Sequence, residues 1–198
     1  MKEKAGAAIL AGGRGRRLIP HKGFLKLGDK TIIEREIDVL GTIFSEIIII
    51  ANHPEYYKGF KLKVFSDVIL NKGALGGIYS ALKYSKTRYN FITGSDMPYP
   101  NAALIKYMEG FLRNYDVVVP ELSGHLEPLY AFYSKECIPA IENQFRKNDL
   151  RIQNFFSLVK AKIVNQKKVL EFDPQGLAFV NINTPEDYHF HTPVARRG

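Results

Sequence analysis

The chain has 198 residues, 45% apolar and 24% charged, with a formal net charge of +8 at neutral pH. That length predicts one domain, with at most a modest subdomain, and the apolar share is enough for a real core. No apolar run approaches the ~20 residues that span a bilayer, and a single cysteine, Cys137, excludes an internal disulfide and a cysteine-based metal cluster.

The N-terminal stretch is too short and glycine-broken for a signal peptide, so the expected compartment is the reducing cytoplasm. The positive charge favours anionic partners. Lysines and arginines are spread along the chain without a run of five and are densest between positions 14 and 22. This favours a focused phosphate site, with neither nucleic acid nor membrane as partner.

Residues 4–27 read as a buried strand, 7–11, running at once into Gly12-Gly13, then Arg14, Arg16, Arg17 and Lys22. Glycines let the backbone approach a ligand, exposed N–H groups in such a loop make an anion-binding concavity, and arginine grips phosphate oxygens with paired hydrogen bonds. The loop fits neither G-x-x-x-x-G-K-[ST] nor G-x-G-x-x-G. Gly28-Asp29 signals a turn. Thr31 caps a helix to about Leu40 with an apolar stripe from Ile32, Ile33, Ile37 and Leu40. Residues 47–51 are a β-branched run typical of a central strand, and 61–65 make a second short strand. Residues 78–84 read as a helix, 89–93 as a strand ending in Gly94-Ser95-Asp96-Met97-Pro98, and 101–112 as a helix. Residues 116–119 make a strand with Pro120 after it. Beyond it, 129–133 read as an aromatic strand, 138–145 and 150–158 as helices, and 161–164 as an edge strand. Thr184-Pro185 opens a last helix, with Asp187 completing a capping box.

This alternation predicts a mostly parallel, Rossmann-like sheet in a three-layer α/β/α sandwich. Its ligands belong beyond the carboxyl ends of the strands. Those ends carry Leu10, Ala11, Gly12 and Gly13, then Asn52, Asp67 and Asp96. A carboxylate at Asp96 suits Mg²⁺, which takes one or two carboxylates plus phosphate oxygens; the alternative is a helix cap ahead of Pro98. Asp67 holds the same ion, bonds the nucleotide or caps a turn. Asn52 bonds a base or ribose or is a turn residue. Gly73, Gly76 and Gly77 let the backbone approach a base or ring system, or Gly76-Gly77 only starts a helix. Asn181 and Asn183 face a ligand together or serve local cap bonds.

Together L-A-G-G-x-x-x-R from Leu10, Lys22, G-S-D-M-P at 94–98 and N-I-N-T-P at 181–185 resemble the molybdenum cofactor guanylyltransferase family. The resemblance covers nearly the whole chain, from Ala7 to about Asp187. It implies a nucleotidyltransferase of the glycosyltransferase-A-like fold, with a nucleotide-binding part at about 1–120 and an acceptor-binding part at about 121–190 of one domain. It further implies that Leu10, Ala11, Gly12, Lys22 and Asp67 bind GTP, and that Asp96 holds Mg²⁺, with Mn²⁺ as an alternative. Asn181 and Asn183 would lie near the pterin or metal. The implied reaction moves GMP from GTP to molybdopterin, with Arg17 and Lys22 gripping the triphosphate. Other cofactor-biosynthesis proteins and apo-molybdoenzymes are the implied partners. The chain departs from the family pattern where an Asp is replaced by His21 and a glycine by Ile19. Ile50 also stands at a family asparagine, with Asn52 two residues on. These changes bear on base choice and loop closure.

Overall fold

The computed structural model describes residues 5–11 and 22–192. Its centre is a sheet in the order β10-β7-β9-β6-β1-β4-β5. The strands are β1 (Ala5–Leu10), β4 (Ile47–Ile50), β5 (Lys63–Phe65), β6 (Tyr89–Gly94), β7 (Val117–Leu122), β9 (Tyr130–Ser134) and β10 (Ala161–Val164). β8 (His125–Leu126) pairs with the end of β7, and β2 (Lys26–Leu27) and β3 (Lys30–Thr31) form a separate hairpin turning on Gly28, whose φ is +70°. β9 runs antiparallel to β6 and β7, while β1, β4, β5, β6, β7 and β10 run parallel.

Side chains alternate across the sheet, and each face takes its own helix layer. Ala5, Ala7 and Ile9 face α1 (Ile32–Gly41), α3 (Ala102–Glu109) and α5 (Gln166–Phe172). Ala8 and Leu10 face α2 (Gly73–Tyr84) and α4 (Ile138–Arg146). The three-layer α/β/α architecture expected from the alternation is therefore present. On the first face Phe91 of β6 packs against Phe44, Tyr130 and Phe132, with centroids 6.1, 4.9 and 5.2 Å away. Such pairs contribute about 0.5–1.5 kcal/mol each beyond burial, and they brace the strand that delivers Asp96.

The expected caps are in place. Thr31 and Glu34 form a capping box on α1, and Thr184 and Asp187 form one on α6 (Pro185–His191). Other expectations need correction. α2 begins at Gly73, so Gly76 and Gly77 lie inside its first turns. The helix expected over 150–158 runs from Ile152 to Leu158 and winds as a 3-10 helix. β7 continues through Pro120, which pairs with Val164 after β7 has left β9; no ladder bond to β9 is asked of the missing N–H there. α5, capped by Asn165, has no counterpart in the sequence reading.

Candidate active site

β1 lies between β4 on one side and β6 on the other, so the strand order switches direction there. Loops leaving neighbouring strands on either side of such a point diverge and open a crevice at the carboxyl edge. Leu10 and Ala11 close β1 at this edge, and Ala11 N–H bonds the Ile50 carbonyl at 2.8 Å. The Tyr57 hydroxyl bonds the Ala11 carbonyl at 3.3 Å. Gly12, Gly13, Arg17 and His21 lie outside the described residues.

Lys22 opens a 3-10 turn, Lys22–Phe24, that packs on the turn after β6. Gly23 makes this approach, because a Cβ there would stand 3.0 Å from the Ser95 carbonyl oxygen. Lys22 Nζ donates to Asn183 Oδ1 at 2.6 Å and lies 4.0 Å from Asp96 Oδ2. The structure thus brings together three of the residues singled out from sequence, two of them 161 positions apart. Asp96 caps no helix: α3 starts at Ala102 and is capped by Asn101, whose Oδ1 accepts from Leu104 N–H. The turn that carries Asp96 is held instead by Ser95 N–H on the Leu10 carbonyl, 3.1 Å, and by Ile182 N–H on the Asp96 carbonyl, 2.9 Å. Burial pushes the Asp96 carboxyl above its ordinary value, and the Lys22 charge opposes that shift less strongly.

Asn52 and Asp67 form a second pair. Asn52 Nδ2 donates to Asp67 Oδ2 at 3.0 Å, and Asp67 N–H donates back to Asn52 Oδ1 at 3.2 Å. The Ser80 hydroxyl, 3.4 Å from Asp67 Oδ1, accepts from Val68 N–H. The two side chains at the ends of β4 and β5 therefore present one prearranged amide–carboxylate unit. Gly77 turns toward Leu10: a Cβ would meet Leu10 Cδ1 at 2.9 Å, so the glycine sets how closely α2 lies on β1. Asn181 Nδ2 donates to the Phe179 carbonyl at 3.0 Å and does not join Lys22.

Two residues of this region escaped the sequence reading. Glu36 of α1 is fully buried, and its Oε1 accepts from the Thr93 hydroxyl at 2.7 Å. A carboxylate at the spacing of Ile33 and Leu40, on the apolar stripe of α1, was the available signal. Beyond Asp96 a cavity of about 430 Å³ is lined by Arg35, Asp38, Pro98, Tyr99, Asn101 and Asp173 among others. It does not include Lys22, Asp96 or Asn183, and Arg35 and Asn101 are spent on the carbonyls of Leu27 and Phe172. Among the described residues no three His, Cys, Asp or Glu side chains converge as a metal cluster, and no helix is long and apolar enough to cross a membrane.

The chain is similar to known proteins in sequence and in fold. A probable molybdenum cofactor guanylyltransferase of Natranaerobius thermophilus is 37% identical over 94% of each chain. The crystal structure of a molybdopterin-guanine dinucleotide biosynthesis protein A from Archaeoglobus fulgidus superposes with a TM-score of 0.79 at 22% identity, covering 95% of this chain and 96% of that one. A Mycobacterium tuberculosis protein solved in complex with manganese shares the fold with a TM-score of 0.67 at 15% identity, covering 96% and 98%. Residues 7–162 match the model of the MobA-like NTP transferase domain. With that match over most of its length, and relatives this similar end to end, the chain belongs to the MobA-like NTP transferase family.

Proposed function

We propose that the protein transfers GMP from GTP to molybdopterin carrying molybdenum, forming the guanine dinucleotide and releasing pyrophosphate. The observation that carries this reading is the meeting of Lys22, Asp96 and Asn183 at the carboxyl edge of the sheet. A cation, a carboxylate and an amide there suit a magnesium triphosphate and a second, phosphorylated substrate. The relatives named as guanylyltransferases supply the identity of nucleotide and acceptor.

Asp96 is the residue that would hold the divalent ion, Mg²⁺ or Mn²⁺. The fit is chemical: one partly desolvated carboxylate, with a raised affinity for positive charge, is the donor Mg²⁺ takes when phosphate oxygens and water supply the rest. When bound, the ion neutralises phosphate charge. The chain's own residues do the remaining work. Lys22 holds the triphosphate together with Arg17, and Gly12 and Gly13 accommodate the phosphates. Leu10 and Ala11 line the approach, with Gly77 behind Leu10, and the Asn52–Asp67 unit takes the nucleoside. Asn181 and Asn183 face the acceptor. An oxygen of the acceptor's terminal phosphate forms the new bond to the α-phosphorus as the α–β bridging bond breaks, and pyrophosphate leaves with that electron pair. Positioning and electrostatics account for the acceleration, and no covalent enzyme intermediate is required.

In this reading, a nucleotide-binding part at about 1–120 and an acceptor-binding part at about 121–190 work as one unit, and the Lys22–Asn183 bond crosses between them. The cytoplasm is the proposed compartment, with other cofactor-biosynthesis proteins and apo-molybdoenzymes as partners. The test is a matrix of the four nucleoside triphosphates against molybdopterin and sugar or polyol phosphates, read as pyrophosphate release. GTP with molybdopterin is expected to exceed every other pair. A preference for CTP, or for a sugar phosphate, would replace this reading with another transfer on the same fold.

A further inference from the structure

Glu36 occupies a core position of α1 beside Ile33 and Leu40, where an apolar side chain would bury as well. Its Oε1 is taken by the Thr93 hydroxyl, but its Oε2 is buried with no partner among the described residues. An unpartnered buried carboxyl oxygen is costly and asks for an explanation. Burial holds the proton on this group well above the usual carboxylate range, Thr93 opposes that less strongly, and the nearby charge of Asp96 adds to it. A neutral carboxylic acid donates as well as accepts. With the proton on Oε1, Glu36 donates to Thr93 Oγ1 and the Thr93 hydrogen turns toward the Gly94 carbonyl at 3.5 Å or the Met97 sulfur at 3.6 Å; without it, Thr93 donates to Oε1.

Both of those groups belong to the turn that carries Asp96. The turn is already fixed to β1 through Ser95 and to the C-terminal segment through Ile182. Gly94 leaves no slack, since a Cβ on it would stand 2.8 Å from Asp96 Oδ1. Toward α1, where Met97 packs in the cluster of Ile33 and Leu40, the polar tie is the Glu36–Thr93 pair.

We propose that Glu36, acting through Thr93, is a positioning residue for Asp96, fixing the 94–97 turn so that the carboxylate is presented to a divalent cation. This rests on the reading of Asp96 as the metal-holding group. Four variants test it: Glu36→Gln, Glu36→Leu, Thr93→Val and the Leu/Val double. Each is measured three ways: Mn²⁺ binding to the protein with a non-hydrolysable GTP analogue, by electron paramagnetic resonance; kcat and KM for transfer; and the melting temperature.

Glu36→Gln keeps a neutral donor and should stay within about twofold of the parent throughout. Glu36→Leu and Thr93→Val should each weaken Mn²⁺ about fivefold and lower kcat about tenfold, with acceptor KM unchanged and no fall in melting temperature. The double variant should be no worse than either single, because both remove one relay. The proposal is overturned if Glu36→Leu keeps Mn²⁺ affinity and kcat within twofold. It is equally overturned if the losses come only with lower melting temperature, or add in the double variant. If the parent protein releases no pyrophosphate with any acceptor, the guanylyl-transfer reading falls, and the Mn²⁺ measurement still decides the role of Glu36.

Discussion

Asp96→Asn separates the chemical role of this residue from any structural one, because the two predict opposite signs for stability. The substitution keeps shape and removes charge. The lost attraction is to Lys22 Nζ, 4.0 Å away. At an effective dielectric of 20 that is about 4 kcal/mol. Both side chains are about a quarter exposed, 27% for Asp96 and 23% for Lys22, so screening leaves about 1 kcal/mol or less. Against it stands the desolvation of the carboxylate, the larger influence on this group, which raises its folded-state value. A carboxyl whose value is raised on folding favours the native state only while protonated. Its contribution is full below the ordinary aspartate value of 3.8 and is lost as pH rises through the folded value. At pH 7 the parent therefore carries a charge that its fold disfavours, and Asn relieves it. Asp96→Asn should melt no lower than the parent at pH 7. The advantage should fade toward pH 3, as both forms become neutral. Activity should move the other way, with kcat down about 10²–10³-fold, the range for removing one preorganised electrostatic group from a transfer site. Thermal melts from pH 3 to 8 and a coupled pyrophosphate assay measure both. A kcat within threefold of the parent at saturating Mg²⁺ would refute the metal role. A melting temperature more than about 5 °C lower at pH 7 would make the carboxylate a structural group.

Lys22→Ala should raise the KM for GTP at least about tenfold with little change in melting temperature, since the amino group bonds an exposed amide, Asn183; unchanged nucleotide kinetics would contradict the assignment of the turn. Gly94→Ala places a methyl 2.8 Å from Asp96 Oδ1 at a residue whose φ is not positive. It should lower kcat about tenfold while shifting stability by only about 1 kcal/mol, within the cost of overpacking, as steady-state kinetics and a denaturant titration can show. Glu46→Ala tests the opposite edge of the sheet. Its Oε2 accepts from the Ser85 hydroxyl at 3.0 Å and from the N–H groups of Lys86 and Thr87 at 3.0 and 3.3 Å. Losing an acceptor shared by three donors should cost about 2 kcal/mol, or about 4–8 °C for a chain of this size, with KM for GTP unchanged.

Much of the framework was legible because it is local. The run Ile47–Ile50 announces a strand covered on both faces, and Thr31 with Glu34 announces the start of α1. The turn Gly94-Ser95-Asp96 follows a buried strand, which placed the carboxylate at the right edge of the sheet. What local pattern cannot show is how partners are shared. Asn52 and Asp67 each read as a ligand group or a turn residue, yet they satisfy one another across two parallel strands. Gly77 read either as room for a ring system or as a helix start, and only the neighbouring strand reveals that it lies within α2 against Leu10. The helix expected over 150–158 is present from Ile152 to Leu158, but its 3-10 winding is not something apolar spacing in the sequence distinguishes.

Glu36 shows the same limit from the other side. Read alone, a glutamate between Arg35 and Ile37 looks like part of a solvated helix face. Its position relative to Ile33 and Leu40 says otherwise, but nothing in α1 tells what it meets. That answer lies on β6, 57 residues away, in a threonine three positions before Asp96. Lys22 likewise finds its amide partner 161 residues on. At this site the groups that would touch substrate stand in sequence motifs, and the groups that aim them come from elsewhere in the chain. A search for further determinants of the reaction should therefore follow hydrogen bonds outward from Lys22 and Asp96, not continue along the motifs that contain them.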